Sequence, residues 1–253
     1  MSEPPTFFQL INLEKACPRR TLFQLNKIEG VSQFFYARKK YERNKILEYL
    51  IDNFSLKTRD HMFRPIEEQF IPRLEKNGAE NFITNLEIIL KENPFKILEV
   101  NIPLIYSLNG TDIELFLDGI GTFRDEPSIF KFNLTTRFSQ TDAFELICAE
   151  NALQCSGNEI DHLIVLFLGT GNYREIIKGG DLTKSGTLSK KGLPPWDSLR
   201  EEANDILTKG LALMLDIKKN PKKYNNPEFG TCLTCPYHNI EVEYDGEKII
   251  CTG

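Results

Sequence analysis

Apolar residues recur at three- and four-residue steps through "SQFFYARKKYERNKILEYLIDNF", with Phe35, Ile46, Tyr49 and Leu50 on one stripe. That spacing predicts a helix with one buried face. "NLEKACPRRTLFQLNKI" before it, and "PIEEQFIPRLEK" and "AENFITNLEIILKEN" after it, read the same way, the last stopped by Pro94. The period then changes. "FKILEVNIPLIYSLNG", "TDIELFLDGIGTF" and "SIFKFNLTT" are rich in β-branched and aromatic residues, and turn signals (Asn109-Gly110, Asp125-Glu126-Pro127) separate them. They predict three consecutive strands joined as hairpins. "SQTDAFELICAENALQCSG" returns to the helical period, with Ser139 as N-cap and Gly157 as stop. "HLIVLFLG" is continuously apolar at strand length, the mark of a strand buried on both faces. Residues 172–195 are polar and glycine-rich and read as a long loop or lid, and "PWDSLREEANDILTKGLALMLDIKKNP" as a long amphipathic helix. The tail "FGTCLTCPYHNIEVEYDGEKIICTG" is a small cysteine-bearing module with a hairpin around Asp245-Gly246.

This order predicts an α/β (mixed α+β) fold, a central mixed sheet flanked by helices. The expected layout is one domain over 1–253. It comprises an N-terminal helical region (1–93), a core (94–170), a loop and long helix (171–225) and a C-terminal cysteine module (226–253). A length of 253 residues allows one large domain. Hydrophobic residues at 41% and charged residues at 26% are ordinary for a globular chain. A net charge of −5 argues against a surface that coats nucleic acid throughout, so any such contact must be local. "MSEPPTFFQL" lacks the pattern of a signal peptide and no apolar run is long enough to span a bilayer, so the expected location is intracellular. There the six cysteines stay reduced and read as metal ligands or core residues.

Cys232 and Cys235 form C-x-x-C, which lets two thiolates reach one metal from a tight turn. In one arrangement Cys251 and His238 complete a self-contained zinc ribbon. In the other, Cys17 of "ACPRR" joins Cys232, Cys235 and Cys251 around a 4Fe-4S cluster and ties the two chain ends together. Cys148 and Cys155 read as buried small hydrophobes. In the middle of the chain, "LFLDGIGTF" carries Asp118 and "IFKFNLTT" carries Lys131 on the next strand, most of a metal-dependent nuclease site.

Taken in order, these motifs resemble the iron–sulfur RecB-type nucleases of the PD-(D/E)XK superfamily, especially the CRISPR-associated exonucleases and AddB-like nuclease domains. The matching elements are "KACPRRTLF" near the start, Glu99 in "LEVNIPL", "LFLDGIG" with Asp118, "QTDAF" with Gln140 and Phe144, and "CLTCPYHN" near the end. The resemblance implies a restriction-endonuclease-like fold and a 4Fe-4S cluster on Cys17, Cys232, Cys235 and Cys251. It also implies Mg²⁺ or Mn²⁺ held by two carboxylates, and DNA as substrate. The chain departs from the pattern twice. "HNIEVEYDGEKII" separates the last two cysteines, which keeps zinc as the alternative. No Asp or Glu occurs from Ser128 to Gln140, so Lys131 stands where the second acid belongs and Asn133 where the lysine belongs. The family's histidine is also missing from the N-terminal helices, His61 lying beyond its expected place.

The site expected from sequence is therefore degenerate: Asp118, Lys131, Glu99 and Gln140 as vestiges, with a lysine charge where a cation would bind. A basic strip of Lys15, Arg19, Arg20, Lys27, Arg38, Lys39, Lys40, Arg43 and Lys45 suits phosphate contacts. The reading is a DNA-binding or structural protein, alone or with other subunits of a DNA-processing or nucleoprotein assembly. Two alternatives stand beside it: an active exonuclease with displaced ligands, and a zinc-ribbon protein-interaction module.

Overall fold

The computed structural model describes residues 4–11, 13, 17–26, 28, 30, 34–54, 66–75, 79–135, 138–176, 196–224, 235–237, 241–244 and 246–250. Its centre is a five-stranded sheet in the order β1 (Phe95–Leu108), β2 (Thr111–Phe123), β3 (Glu126–Asn133), β4 (His162–Phe167), β5 (Asn172–Ile176). The first three strands form the antiparallel meander that their turn signals predict, β3 and β4 are parallel, and β5 runs antiparallel to β4. A parallel pair needs a crossover, supplied here by helix α6 (Gln140–Cys155). Ser139 caps α6 as its sequence suggests: the Ser139 hydroxyl accepts from the Asp142 N–H, and the Asp142 carboxylate accepts from the Ser139 N–H.

β4 sits between two layers. Leu163, Val165 and Phe167 face one core cluster, and Ile164, Leu166 and Leu168 the other. The first cluster packs the sheet against α1 (Phe7–Ile11), α6 and α7 (Trp196–Lys219), the second against α3 (Phe34–Phe54) and α5 (Glu80–Glu92). "PIEEQFIPRLEK" yields less helix than its period suggests, a 3-10 turn at Glu68–Phe70 followed by α4 (Ile71–Glu75). Among the described residues, no helix is long and apolar enough to cross a membrane.

The sheet also reaches further than the sequence suggests. Asn172–Ile176, read above as the start of a loop or lid, forms edge strand β5. "NYREI" has only Ile176 buried, so it carries no strong apolar alternation, and it becomes a strand by pairing along β4. The remaining lid residues, 177–195, lie outside the described residues.

On β1 the register slips between Ile97 and Glu99, a bulge that brings β1 close to β2. A Cβ on Gly121 would stand 1.9 Å from the Lys96 carbonyl oxygen, so this pairing excludes any side chain there. Two residues past the bulge, Asn101 adopts φ 52°, a left-handed conformation that asparagine tolerates better than most residues. Here β1 passes from one core cluster to the other: Ile97 and Val100 belong to the α3/α5 side, Ile102 and Tyr106 to the α1/α6/α7 side.

The C-terminal hairpin, β6 (Glu241–Tyr244) with β7 (Glu247–Ile250), stands apart from the main sheet and turns at Gly246, φ 76°. Tyr237 and Val242 pack with Phe23 of α2 (Pro18–Leu25), and the Tyr237 hydroxyl donates to the Ile28 carbonyl at 2.7 Å. A Cβ on Gly30 would meet Pro236 at 2.8 Å, so the chain's two ends are closely apposed here.

Candidate functional site

The ladder between β2 and β3 ends at Gly119–Phe130, and beyond that pair the strands part. The next N–H of β3 on that side, from Phe132, donates to Asp118 Oδ2 at 2.9 Å. Asp118 thus satisfies with its side chain a backbone donor that the diverging strand leaves buried. Its other oxygen accepts from Arg43 Nη1 at 2.5 Å, and Arg43 Nη2 donates to Asn101 Oδ1 at 2.9 Å. The left-handed Asn101, between the pairs Val100–Gly119 and Ile102–Leu117, is therefore part of the site.

Lys131 continues the β3 register to stand opposite Asp118. Its Nζ lies 3.3 Å from Asp118 Oδ2 and 2.7 Å from Glu145 Oε2, between two carboxylates. Glu145 comes from α6, whose crossover returns along this face of the sheet. The four groups, two acids and two bases, balance in formal charge, and Asp118 is only 1% exposed.

The surroundings push these groups apart in acidity. Burial alone would raise the Asp118 carboxyl. The charges of Lys131 and Arg43, with hydrogen bonds from the Phe132 N–H and Arg43, outweigh it and hold the carboxyl at about 2. Burial would lower the Lys131 ammonium, yet the negative charges of Asp118, Glu145 and Asp142 leave its pKa raised, so it stays protonated. Glu145 is raised, by burial first and by repulsion from Asp118, against the pull of Lys131. Such an arrangement holds a lysine ammonium tightly. A divalent ion would have to displace that ammonium and the Arg43 guanidinium before it met two charged oxygens.

The other residues expected from sequence fall elsewhere. Glu99 is half-buried across from Ile120 on the hairpin. Gln140 turns away from Asp118 and donates to Glu202 of α7 at 2.7 Å. Asn133 accepts from the Thr135 N–H and hydroxyl, 2.8 and 2.7 Å, and faces Asp142 at 3.4 Å. The residues that sequence reasoning missed are Glu145 and Asn101, and Arg43 was assigned to a phosphate-binding strip instead of to Asp118.

That strip does not form one open face. Arg38 pairs with Glu42, Lys45 with Glu48 and Lys40 with Glu67. Arg19 is buried on α2, Arg20 lies beside it, and Lys15 and Lys27 lie outside the described residues. Lys39, Lys40 and Arg43, however, line a cleft of ≈ 570 Å³ with Lys131, the residues that follow it on β3, and the start of α6.

Of the cysteines, Cys17 is the buried N-cap of α2, and its thiol makes no capping hydrogen bond. Cys235 is half-buried and precedes by two residues the Tyr237 that packs on α2. Cys232, His238 and Cys251 lie outside the described residues. Cys148 is fully buried and its thiol is pushed up to about 12 by burial, then by Glu145, as for a core residue, whereas Cys155, expected to be buried with it, is exposed at the end of α6.

No family model matches the chain, and no curated protein matches it. Among solved structures it is similar to a chain from Eubacterium rectale described as a "Putative exonuclease", with 13% identity and a TM-score of 0.50 over 96% of this chain and 90% of that one. At that identity the likeness bears on fold alone, the mixed sheet flanked by helices.

Proposed function

We propose that this chain is a nuclease-fold protein that binds nucleic acid without metal-dependent cleavage, a closed ion-pair network having replaced its cation site. The observation that carries this reading is Lys131 Nζ between Asp118 and Glu145, at 3.3 and 2.7 Å. The ammonium supplies the positive charge that Mg²⁺ or Mn²⁺ would otherwise bring, and it is held protonated. The cationic wall of the neighbouring cleft supports phosphate as ligand. The test is a nuclease assay with Mg²⁺ and with Mn²⁺ on single- and double-stranded DNA, against Asp118→Ala, alongside salt-dependent binding. Binding that weakens with salt and no cleavage above the variant is the expected result.

One observation favours a second reading. Asp118 and Glu145 share a single lysine, so two carboxylates do converge here. If a bound phosphate drew Lys131 and Arg43 aside, these acids would form the displaced pair of an active exonuclease. Wild-type cleavage abolished by either Asp118→Ala or Glu145→Ala selects that reading.

For the cysteines we keep the 4Fe-4S arrangement of Cys17, Cys232, Cys235 and Cys251, with zinc on Cys232, Cys235, His238 and Cys251 as the alternative. Its support is the packing of Pro236 and Tyr237 on α2 and neighbouring Gly30, which brings Cys235 toward the helix that Cys17 caps. Iron and zinc analysis of anaerobically purified protein decides between the two.

A further inference from the structure

We infer that the cleft beside Asp118 is a subsite for one unpaired nucleotide, its phosphate on the α3 wall and its base on the apolar floor. This deepens the nucleic-acid reading above and rests on it for the identity of the ligand. The cleft opens at the end of β3, between α3 and the first turn of α6. Its ≈ 570 Å³ falls within the range of about 300–1,000 Å³ usual for small-molecule pockets.

The lining mixes two chemistries: Lys39 and Lys40 bring positive charge, with Arg43 and Lys131 beside them already paired to Asp118 and Glu145, whereas Ile46, Leu47, Phe132 and Leu134 bring apolar surface. Asp142 is the single acid among the lining residues, and its carboxylate is engaged by the N–H and hydroxyl of Ser139 at 2.8 and 2.7 Å. The α6 N-terminus is thereby capped from within, so an anion would be drawn to the side-chain cations. Arg43 is engaged through both Nη atoms, with Asp118 and Asn101, and its Nε is buried away from solvent.

Inorganic phosphate would use the cations and leave the apolar side bare. A duplex would present its phosphates with the bases stacked and paired, out of reach of that floor. An unpaired nucleotide, at a strand end or in a single strand, uses both surfaces, as base faces do on apolar and aromatic platforms.

Titration calorimetry on the full chain tests this with deoxyadenosine 5′-monophosphate, deoxyribose 5-phosphate and inorganic phosphate. The nucleotide should bind at least about tenfold more tightly than the sugar phosphate. Lys39→Glu, an exposed position that does not endanger the fold, should weaken both by about tenfold or more. Leu134→Ala should weaken the nucleotide and spare the sugar phosphate; if that variant is poorly folded, Lys39→Glu and the ligand series still decide. Equal affinity for nucleotide and sugar phosphate, or no effect of Lys39→Glu, overturns the subsite. A labelled single-stranded oligonucleotide separates the two readings. If it binds but is neither displaced by the nucleotide nor weakened by Lys39→Glu, the subsite falls and nucleic-acid binding stands. If the nucleotide binds and the oligonucleotide does not, the subsite stands and the wider reading falls. If neither binds, both fall.

Discussion

β3 carries an ion network near each end. At one end Lys131, Asp118 and Glu145 are buried and close on one another, with the half-buried Arg43 on Asp118. At the other, His162 of β4 bridges Glu126 of β3 and Glu175 of β5, and Glu126 is 61% exposed. The difference lies in solvent. At the buried end no water compensates an unpaired charge, so the groups depend on one another: Asp118 and Lys131 are held ionised, while the Glu145 carboxyl is raised. At the exposed end water competes with every contact, and the network is free to titrate. A site that must admit and release a metal ion needs some of the second behaviour, and the Asp118 end has the first.

The largest effect should come from breaking the buried end. Lys131→Met leaves Asp118 and Glu145 facing each other with Arg43 as the remaining cation. Loss of one partner of a buried pair costs about 3–5 kcal/mol, measurable by denaturant unfolding. Adding Glu145→Gln to Lys131→Met should recover much of that loss, because the orphaned carboxylate goes too while Asp118 keeps its pairing with Arg43. Lys131→Glu should be worse than Lys131→Met, with three carboxylates together. If Mn²⁺ restores the lost stability of that variant, the position is a cation site held by lysine. The pH dependence follows in sign. The Asp118 carboxyl is depressed to about 2, so its stabilisation is present above the unfolded value near 4 and is lost as pH falls toward 2.

Next in size is the tie between the chain ends. Cys17→Ser should cost about 2–5 kcal/mol if a metal centre closes this long loop, with loss of iron. A variant that keeps both its iron and its stability would separate Cys17 from the metal centre.

The two networks were unequally legible in sequence. Lys131 opposite Asp118 followed from strand alternation and a tight turn, since a hairpin register is set locally. Glu145 depended on how α6 packs back on the sheet, which no local pattern gives. A signal did exist: Glu145 and Glu150 interrupt a run, Ala143–Leu153, that is otherwise almost wholly apolar, and charged residues are rarely buried without partners. Asn101 was hidden because its left-handed conformation breaks a strand that reads as continuous. Arg43's contact with Asp118 was hidden because a basic strip on a helix looks the same whether its members face water or reach a carboxylate. Gln140 matched a motif by spacing, but its side chain reaches α7. The overall architecture was the most legible part, since periodicity and turn residues act over short range.

A smaller effect tests the cations of α3 beside the buried end. Reversing Arg38, Lys39 and Lys40 to Glu should weaken DNA binding on the order of tenfold or more. It should also reduce the salt slope by about one for each phosphate that the variant no longer neutralises, with little dependence on sequence. Unchanged binding would move the interface away from α3 and leave the Asp118 network a purely structural element.

The smallest effect belongs to the exposed end. His162 Nδ1 lies 2.7 Å from Glu175 and Nε2 2.6 Å from Glu126, with the ring edge-to-face on Phe123 at 5.2 Å. Only the imidazolium donates from both nitrogens, so the neutral ring can keep just one of these two hydrogen bonds. Partial burial would lower the His162 pKa, but the hydrogen bonds and charges of Glu175 and Glu126 more than offset it, and the value is raised. A raised pKa puts the stabilisation below the unfolded value near 6.5 and removes it as pH climbs through the folded one. Because Glu126 is largely exposed, the contribution should be at most about 1 kcal/mol, a shift of about 2–4 °C in Tm. The wild-type advantage over His162→Gln should thus be greatest near pH 6 and vanish by pH 9, while Asp118 governs only the acid limb. If the two curves stay parallel from pH 6 to 9, the His162 bridge does not titrate with folding. The contrast between a locked end and a titratable end of the same strand would then be lost.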